Sequence, residues 1–470
     1  MVSVFQSVRR GLIGTLAAAL FASTAYAGLL TDKENKTVKA LQEVALTSSV
    51  GYDIDESLTT EVGARMVGTD GDKKSIVWAK QKMKSLGFDK VWSEPVDFVP
   101  WERGPASARI LAPYPQPMVV IALGGSVGTP ANGITAQVAA FKTLDELKKA
   151  PKGSLAGKIA FVEYRMERHK NGSGYRKAVG ARVTGASIAA EKGAVALLIR
   201  SVGTDNHRVG HTGVMRYTDG IKKIPAGALS NPDADMLQRQ LNRGNPVTVE
   251  LNIQAKRLED QKVTTANVIG EITGTEFPDE YVVMAAHLDS WDVGTGAIDD
   301  GLGVSITMAA AHHIANLPEK PKRSIRVILF AGEEVGLIGA KQYVKEHKKE
   351  IGNIVIGSEW DFGIGKIYRM TPGVGAHALV YIEELAQLLA PLGVGLSGEN
   401  NAKGHSDLSL LGAEGMPAIN FHMDGTEYFD IHHTENDTLD KVDKDALKQA
   451  TAVYATYAYF AAQSGIDFRK

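Results

Sequence analysis

Between residues 262 and 361 the chain alternates short apolar runs with longer amphipathic ones. That alternation constrains the fold more than any other feature. YVVMAAH (281–287), SIRVILFAGEE (324–334) and NIVIGSEWD (353–361) each read as a strand. GLGVSITMAAAHHIANL (301–317) and GLIGAKQYVKEHKKEI (336–351) between them read as helices. Strands that are apolar at nearly every position, not at every second one, must be covered on both faces. Such strands joined by helices form a parallel sheet. The predicted fold class is α/β, with a central, mostly parallel sheet between helical layers. Functional groups in sheets of this kind gather beyond the carboxyl ends of the strands.

That rule selects residues. His287 ends the first of these strands, Glu333 and Glu334 the second, and Asp361 the third. Asp299 sits in the loop that opens the intervening helix. The stretch AAHLDSWDVGTGAIDDG (285–301) brings His287, Asp289, Asp299 and Asp300 together among apolar residues and glycines. Carboxylates beside an apolar run are costly to bury unless something positive compensates them. YFDIHHTENDT (428–438) adds His432 and His433 in a loop. One zinc ion takes about three protein ligands plus water, and two ions sharing a carboxylate take about five. Two histidines and three carboxylates supply that number, with one glutamate to spare. A spare carboxylate is what hydrolysis needs as a general base. Singly, each piece has a blander reading. His-x-Asp arises by chance, Gly-Glu-Glu suits a helix start, and paired histidines suit a surface. Their joint placement at strand ends points to a metal site.

The chain has no cysteine. This excludes a cysteine nucleophile and a thiolate metal site, so any metal must sit on His, Asp and Glu. The formal net charge is -2, which gives no global field toward nucleic acid or an anionic membrane. Residues 1–27 read as a secretory signal peptide. Arg9 and Arg10 precede an apolar core from Gly11 to Ser23, and Ala25-Tyr26-Ala27 gives the cleavage pattern. The alternative is a retained anchor. No later segment is long and apolar enough to cross a membrane. The expected location is outside the cytoplasm, in a periplasm or the medium. Without disulfides, stability must come from the core or from bound metal.

A length of 470 residues implies more than one unit. GARMVGTDGDKKSIVWAKQKMKSLGF (63–88) predicts a loop and then an amphipathic helix with Ile76, Val77, Ala79, Met83 and Leu86 on its apolar face, capped by Gly87. Near residue 115 the texture turns rich in Pro and Gly. GKIAFVEYR (157–165), ASIAAEKGAVALLIRS (186–201) and PVTVELNIQAK then follow as short elements. The expectation is a small β-rich unit at 117–258, inserted between catalytic parts at 28–116 and 259–470.

HLDS (287–290), GAIDDG (296–301), AGEEVGLIGA (331–340), Asp361 of SEWD and HHT (432–434) resemble, in order and spacing, the co-catalytic di-zinc aminopeptidase family. Its relatives include glutamate carboxypeptidase II and the transferrin receptor. The similarity runs over essentially the whole mature chain, because the 117–258 block resembles that family's protease-associated domain. The plasma glutamate carboxypeptidase (carboxypeptidase Q) branch also carries a His-His pair in the last motif. The resemblance implies a zinc-peptidase fold, a phosphorylase/hydrolase-like α/β sandwich. It implies two zinc ions, or other divalent metals in their place. His287 and Asp361 would hold one, Glu334 and His433 the other, and Asp299 would bridge them. Glu333 would be the general base and then the proton donor to the leaving amine. Asp289 would hold the imidazole of His287 in one tautomer. Asp300 fits a helix start better than a ligand.

Simple members of that family often carry Tyr before the final histidine, where this chain has His432. Two readings stand for it, a hydrogen-bond donor to the oxyanion and a structural histidine. GHSDLSLLG (404–412) resembles the family's substrate-side Ser-Asp loop, which would set His405, Ser406 and Asp407 along the pocket. Asp407 then suits a substrate α-amino group, or else caps a helix. NHRVGHTG (206–213) offers His207, Arg208 and His211 in a loop that would cover the crevice, with Arg208 meeting a substrate carboxylate. An ordinary surface loop is the other reading. The implied activity is that of a secreted di-zinc exopeptidase, an aminopeptidase or dipeptidase acting on small unblocked peptides. A homodimer is expected, with no nucleic-acid partner and no membrane contact after cleavage. A glutaminyl cyclase-like enzyme and a non-catalytic, receptor-like binding protein are the alternatives. The full ligand set and the intact Glu333 favour hydrolysis.

Overall fold

The computed structural model describes residues 29–469. The segment read as a signal peptide lies outside the described residues. The described residues build two eight-stranded sheets. Across the first, the strands run in the order Lys90–Phe98, Val263–Ile272, Arg323–Phe330, Phe277–His287, Ile354–Glu359, Ala418–Met423, Ile367–Gly373 and Gly395–Leu396. The middle four, from Arg323–Phe330 to Ala418–Met423, are parallel. Antiparallel pairs flank them on both sides. The sheet is therefore mixed, and "mostly parallel" holds only at its centre. The reason lies in the connections. Only residues 273–276 separate Val263–Ile272 from Phe277–His287, far fewer than a parallel crossover needs, so the chain must reverse direction there.

Arg323–Phe330 and Ile354–Glu359 are buried at every residue, as strands covered on both faces must be. The period of two decides which side chain meets which layer. Val282, Met284 and Ala286 join the core with helices Leu302–Ala315 and Lys444–Gln463. Val283 and Ala285 point the other way, toward helices Ile338–His347 and Leu408–Ala413. The helix expected in 63–88 spans Asp70–Ser85, with the Thr69 side chain accepting from the N–H of Asp72 at its start. Ala79 and Met83 are buried, but Val77 is 55% exposed. At roughly 100° per residue, Val77 falls about 200° from Ala79, on the solvent side.

The second sheet has the order Gln116–Met118, Trp101–Ala112, Thr248–Arg257, Ile134–Phe141, Ile159–Val162, Ala196–Arg200, Ala226–Leu229 and Val120–Ala122. Ile110, Phe161, Leu198, Leu229, Val249 and Leu251 form a core of its own. This sheet starts at Trp101, earlier than the boundary at 117 read from the sequence. The Pro-rich texture near 115 marks the turn between Trp101–Ala112 and Gln116–Met118, which pair as a hairpin. Among the described residues, no helix is long and apolar enough to cross a membrane.

Candidate active site

The selected residues meet beyond the carboxyl ends of the central parallel strands. His287 is the last residue of Phe277–His287 and is 0% exposed. Asp299 lies in the turn Ala297–Gly301 that feeds helix Leu302–Ala315. Its two carboxylate oxygens face different histidines. Oδ1 lies 3.2 Å from Nε2 of His287, and Oδ2 lies 3.3 Å from Nε2 of His433. Nε2 of His287 is also 3.4 Å from Oδ1 of Asp361. Nε2 of His433 is 3.1 Å from Oε2 of Glu334. Two clusters of metal-ligating atoms therefore share one carboxylate. The other oxygen of Glu334, Oε1, is buried without a hydrogen-bond partner. A buried acceptor with no donor calls for an ion or an unseen proton. Together with the donor types, His and carboxylate only, this fits a pair of divalent cations.

The frame behind the cluster is specific. Asp289 accepts the N–H groups of Glu333 and Glu334, at 3.1 and 3.3 Å. Its carboxylate stands 3.6 Å from Nδ1 of His287, whereas its own backbone carbonyl is nearer, at 3.0 Å. The carbonyl is thus the closer restraint on the His287 tautomer, and the carboxylate chiefly ties down the Glu333–Glu334 turn. Asp300 accepts the N–H groups of His287 and Gly303, which agrees with a helix-start role. Two residues in this frame were not singled out from the sequence. Arg65, fully buried, donates to the carbonyls of Leu288, Thr295 and Gly296. Asp437 accepts the N–H groups of Ile298 and Asp299. Asp437 stands in the quoted ENDT and was within reach of the sequence. Arg65 carried no motif.

A cavity of about 440 Å³ opens over the cluster. Glu333 and Asp361 line it from the first sheet, and Tyr175, Arg182 and Arg216 from the connections between strands of the second. Ser406 lines it too and donates to Oδ2 of Asp361. His405 turns away, its ring 3.2 Å from the carbonyl of Phe421. Asp407 is 0% exposed, and neither of its oxygens has a partner. It neither lines the cavity nor caps helix Leu408–Ala413. The expected contact with a substrate amine is thus corrected, because the chain turn at Ser406 sends the next side chain into the core. Arg208 is held by Asp233 at 3.0 Å and by the carbonyl of Pro117, and it does not line the cavity. Arg182 and Arg216 stand where Arg208 was expected. Nothing in the alanine-rich helix Ser173–Glu191 marked Arg182. His207 lies 3.4 Å from Asn436, and His211 is buried against the backbone of His432.

His432 stacks on His433, with ring centres 3.5 Å apart, and is boxed in by Tyr175, Tyr428 and Phe429. Burial, then the neighbouring His433, pushes its pKa well below the ordinary histidine range, so it is neutral. His433 goes the other way. Burial opposes its charge, but Glu334 and Asp299 raise it to about 9. Burial also opposes the charge of His287, and the nearby carboxylates of Asp289, Asp299 and Asp361 raise it well above its usual value. Burial, then Asp361, lifts Glu333 well above the carboxylate range. Burial likewise lifts Asp300 and Asp407. Without metal, these shifts favour the protonated forms of His287, His433 and Glu333.

That state has a pH signature. Groups whose pKa is raised on folding bind more protons in the folded chain than in the unfolded one, so stability falls as pH rises through the raised values. For these carboxyls the loss begins above their ordinary values of 3.8 and 4.5. For His433 it extends from 6.5 to about 9. Between pH 5 and 8 the buried His432, His405, His313 and His422 act in the opposite direction, each held below 6.5, but the raised groups outnumber them. Chelated protein is therefore expected to melt higher near pH 5 than near pH 8. A flat or rising melting temperature over that interval contradicts this charge assignment.

The comparisons agree with the geometry. Residues 267–458 match the family model described as Peptidase family M28. Carboxypeptidase Q of Mus musculus is 37% identical over 407 residues, covering 86% of this chain and 84% of that protein. The crystal structure of a peptidase M28 precursor from Shewanella amazonensis SB2B is similar with a TM-score of 0.92 and 49% identity, over 93% of this chain and 99% of that one. BSAP, a zinc aminopeptidase from Bacillus subtilis, shares the fold at a TM-score of 0.62 and 22% identity, over 89% of this chain and 97% of that one. The chain belongs to peptidase family M28 and is a metallopeptidase.

Proposed function

We propose that the chain is a di-zinc exopeptidase that cleaves small unblocked peptides, dipeptides above all, outside the cytoplasm. The observation that carries this reading is Asp299, whose two oxygens face His287 and His433 separately. One zinc is assigned to His287, Asp299 and Asp361, the other to Asp299, Glu334 and His433. When bound, zinc supplies Lewis acidity, which polarises a carbonyl and lowers the pKa of nearby water.

The chain's own residues do the rest. Glu333 lines the cavity beside both clusters and is left over from the ligand sets assigned above. It takes the proton of the attacking water and then gives it to the departing nitrogen. His432 supports the oxyanion. Its Nδ1 is buried without a partner, while Nε2 faces Asp299 at 3.7 Å. A lone pair is cheaper to bury unpaired than an N–H, so the proton of this neutral ring belongs on Nε2, toward the reaction. The second unit, read as a protease-associated domain, closes the far end of the cavity. Arg216 lies there beside Gly336, with no ion pair among the described residues, and suits the carboxylate of a short substrate.

His432→Ala is expected to lower kcat by about 10²-fold with bound zinc unchanged, the usual effect of losing one oxyanion donor. An unaltered kcat removes His432 from the mechanism. The wider test is a panel of free dipeptides, N-blocked dipeptides and dipeptide amides. Fast cleavage of the free dipeptides alone supports the reading. Equal cleavage of N-blocked peptides contradicts it.

A further inference from the structure

The loop NHRVGHTG has no part in the chemistry above, yet it runs directly against the metal cluster. It connects strands Ala196–Arg200 and Ala226–Leu229 of the second sheet. His211 within it is fully buried. Its Nδ1 donates to the carbonyl of His432 at 2.8 Å, and its Nε2 lies 2.7 Å from Asp205. Asp205 is itself fixed by the side-chain amide of Asn231 at 3.0 Å. Thr212 donates its N–H to the carbonyl of His433 at 3.0 Å. The Thr212 carbonyl lies 3.3 Å from Nδ1 of His433, the ring nitrogen turned away from Glu334 and Asp299. One short loop thus grips both carbonyls of the His-His pair and the ring of His433.

The fit is close. A Cβ on Gly203 would stand 2.2 Å from the His211 ring, and one on Gly213 would stand 2.7 Å from Nδ1 of His433. His433 meanwhile holds a φ of 61°, in the left-handed region that non-glycine residues seldom occupy. Such a conformation persists only where the surroundings over-determine it. Here the loop provides those surroundings.

We infer that His211 and Asp205 are positioning residues for one half of the metal centre. They fix the His432 carbonyl, and with it the direction in which His433 presents Nε2. Metal affinity at the Glu334–His433 half therefore depends on a side chain of the second unit, and affinity at the His287–Asp361 half does not. This inference rests on the two-metal reading proposed above. Partners that orient a ligating histidine typically change metal affinity by about 10–100-fold.

The test titrates Co²⁺ into the purified, metal-free protein, followed by visible absorption and by chelator competition. Wild type, His211→Ala, His211→Asn and Asp205→Asn are compared. Wild type is expected to bind two ions. His211→Ala is expected to bind one ion normally and the other about 10–100-fold more weakly. His211→Asn, whose amide N–H can take the place of Nδ1–H, is expected to recover most of the loss. Two ions bound at wild-type strength in His211→Ala, or both weakened alike, overturn the inference. If His211→Ala does not fold, Asp205→Asn decides by the same readout. Weakening of one ion alone supports the inference, and weakening of neither or both overturns it. A wild-type protein that takes up fewer than two ions refutes the two-metal reading itself, which the wild-type titration alone reveals.

Discussion

Glu333→Gln is expected to lower kcat for a free dipeptide by about 10³-fold while bound zinc stays the same, within the 10²–10⁴ range of a lost general base. Three features support this size. Glu333 lines the cavity but makes no ion pair with either ligand histidine. Its backbone N–H is anchored on Asp289, so the isosteric amide keeps the turn in place. Burial, then Asp361, pushes its carboxyl upward in the chain without metal; bound zinc offsets the Asp361 charge and leaves the burial, which still moves Glu333 toward the pH at which a base must work. Because a raised base is protonated and inactive below its pKa, kcat/KM in wild type should rise with pH, and that limb should vanish in the variant. A variant that keeps wild-type kcat places the base elsewhere. One that loses zinc shows that Glu333 is a ligand.

Asp299→Ala is expected to abolish activity down to the level of the metal-free protein and to weaken both metals together. Among the described residues, its carboxylate is the one group that faces both histidines. Asp361→Ala should weaken one metal only, because Asp361 meets His287 and not His433. The contrast is also visible in stability. A ligand that binds only the folded state stabilises it by about 4 kcal/mol at a thousand times its Kd. Added zinc should therefore raise the melting temperature of wild type strongly, that of Asp361→Ala less, and that of Asp299→Ala least. Equal zinc responses in the two variants contradict the shared carboxylate.

The central strands and the strand-end residues were legible because one physical rule governs both. Continuous burial demands covered parallel strands, as at Arg323–Phe330, and parallel strands put their carboxyl ends at one crevice. His287, Asp299, Glu333, Glu334, Asp361 and His433 meet there. The sheet edges were less legible, since antiparallel pairing is decided by connection length and not by strand composition. The same limit explains Trp101–Ala112, an extended segment whose membership of the second sheet depends on pairing with the distant Thr248–Arg257. Side-chain direction was the hardest to read. Ser406 and Asp407 are neighbours, yet one faces the cavity and the other the core. Arg208 was chosen for its polar loop, but Asp233 lies within reach and holds it. Arg182 reaches His433 only because helix Ser173–Glu191, which connects two strands of the second sheet, docks on the His432–His433 loop, a long-range contact with no local signal.

The central claim is that Asp299 would be shared between two metal ions, one held with His287 and Asp361 and one with Glu334 and His433, and that the chain so loaded hydrolyses unblocked dipeptides. Its most direct test removes all metal with a chelator, adds zinc back in measured equivalents, and follows dipeptide hydrolysis at each step. The account predicts no activity after chelation and recovery that is complete at two zinc ions per chain. Activity that survives chelation, or that is fully restored by a single ion with no further change at the second, contradicts it.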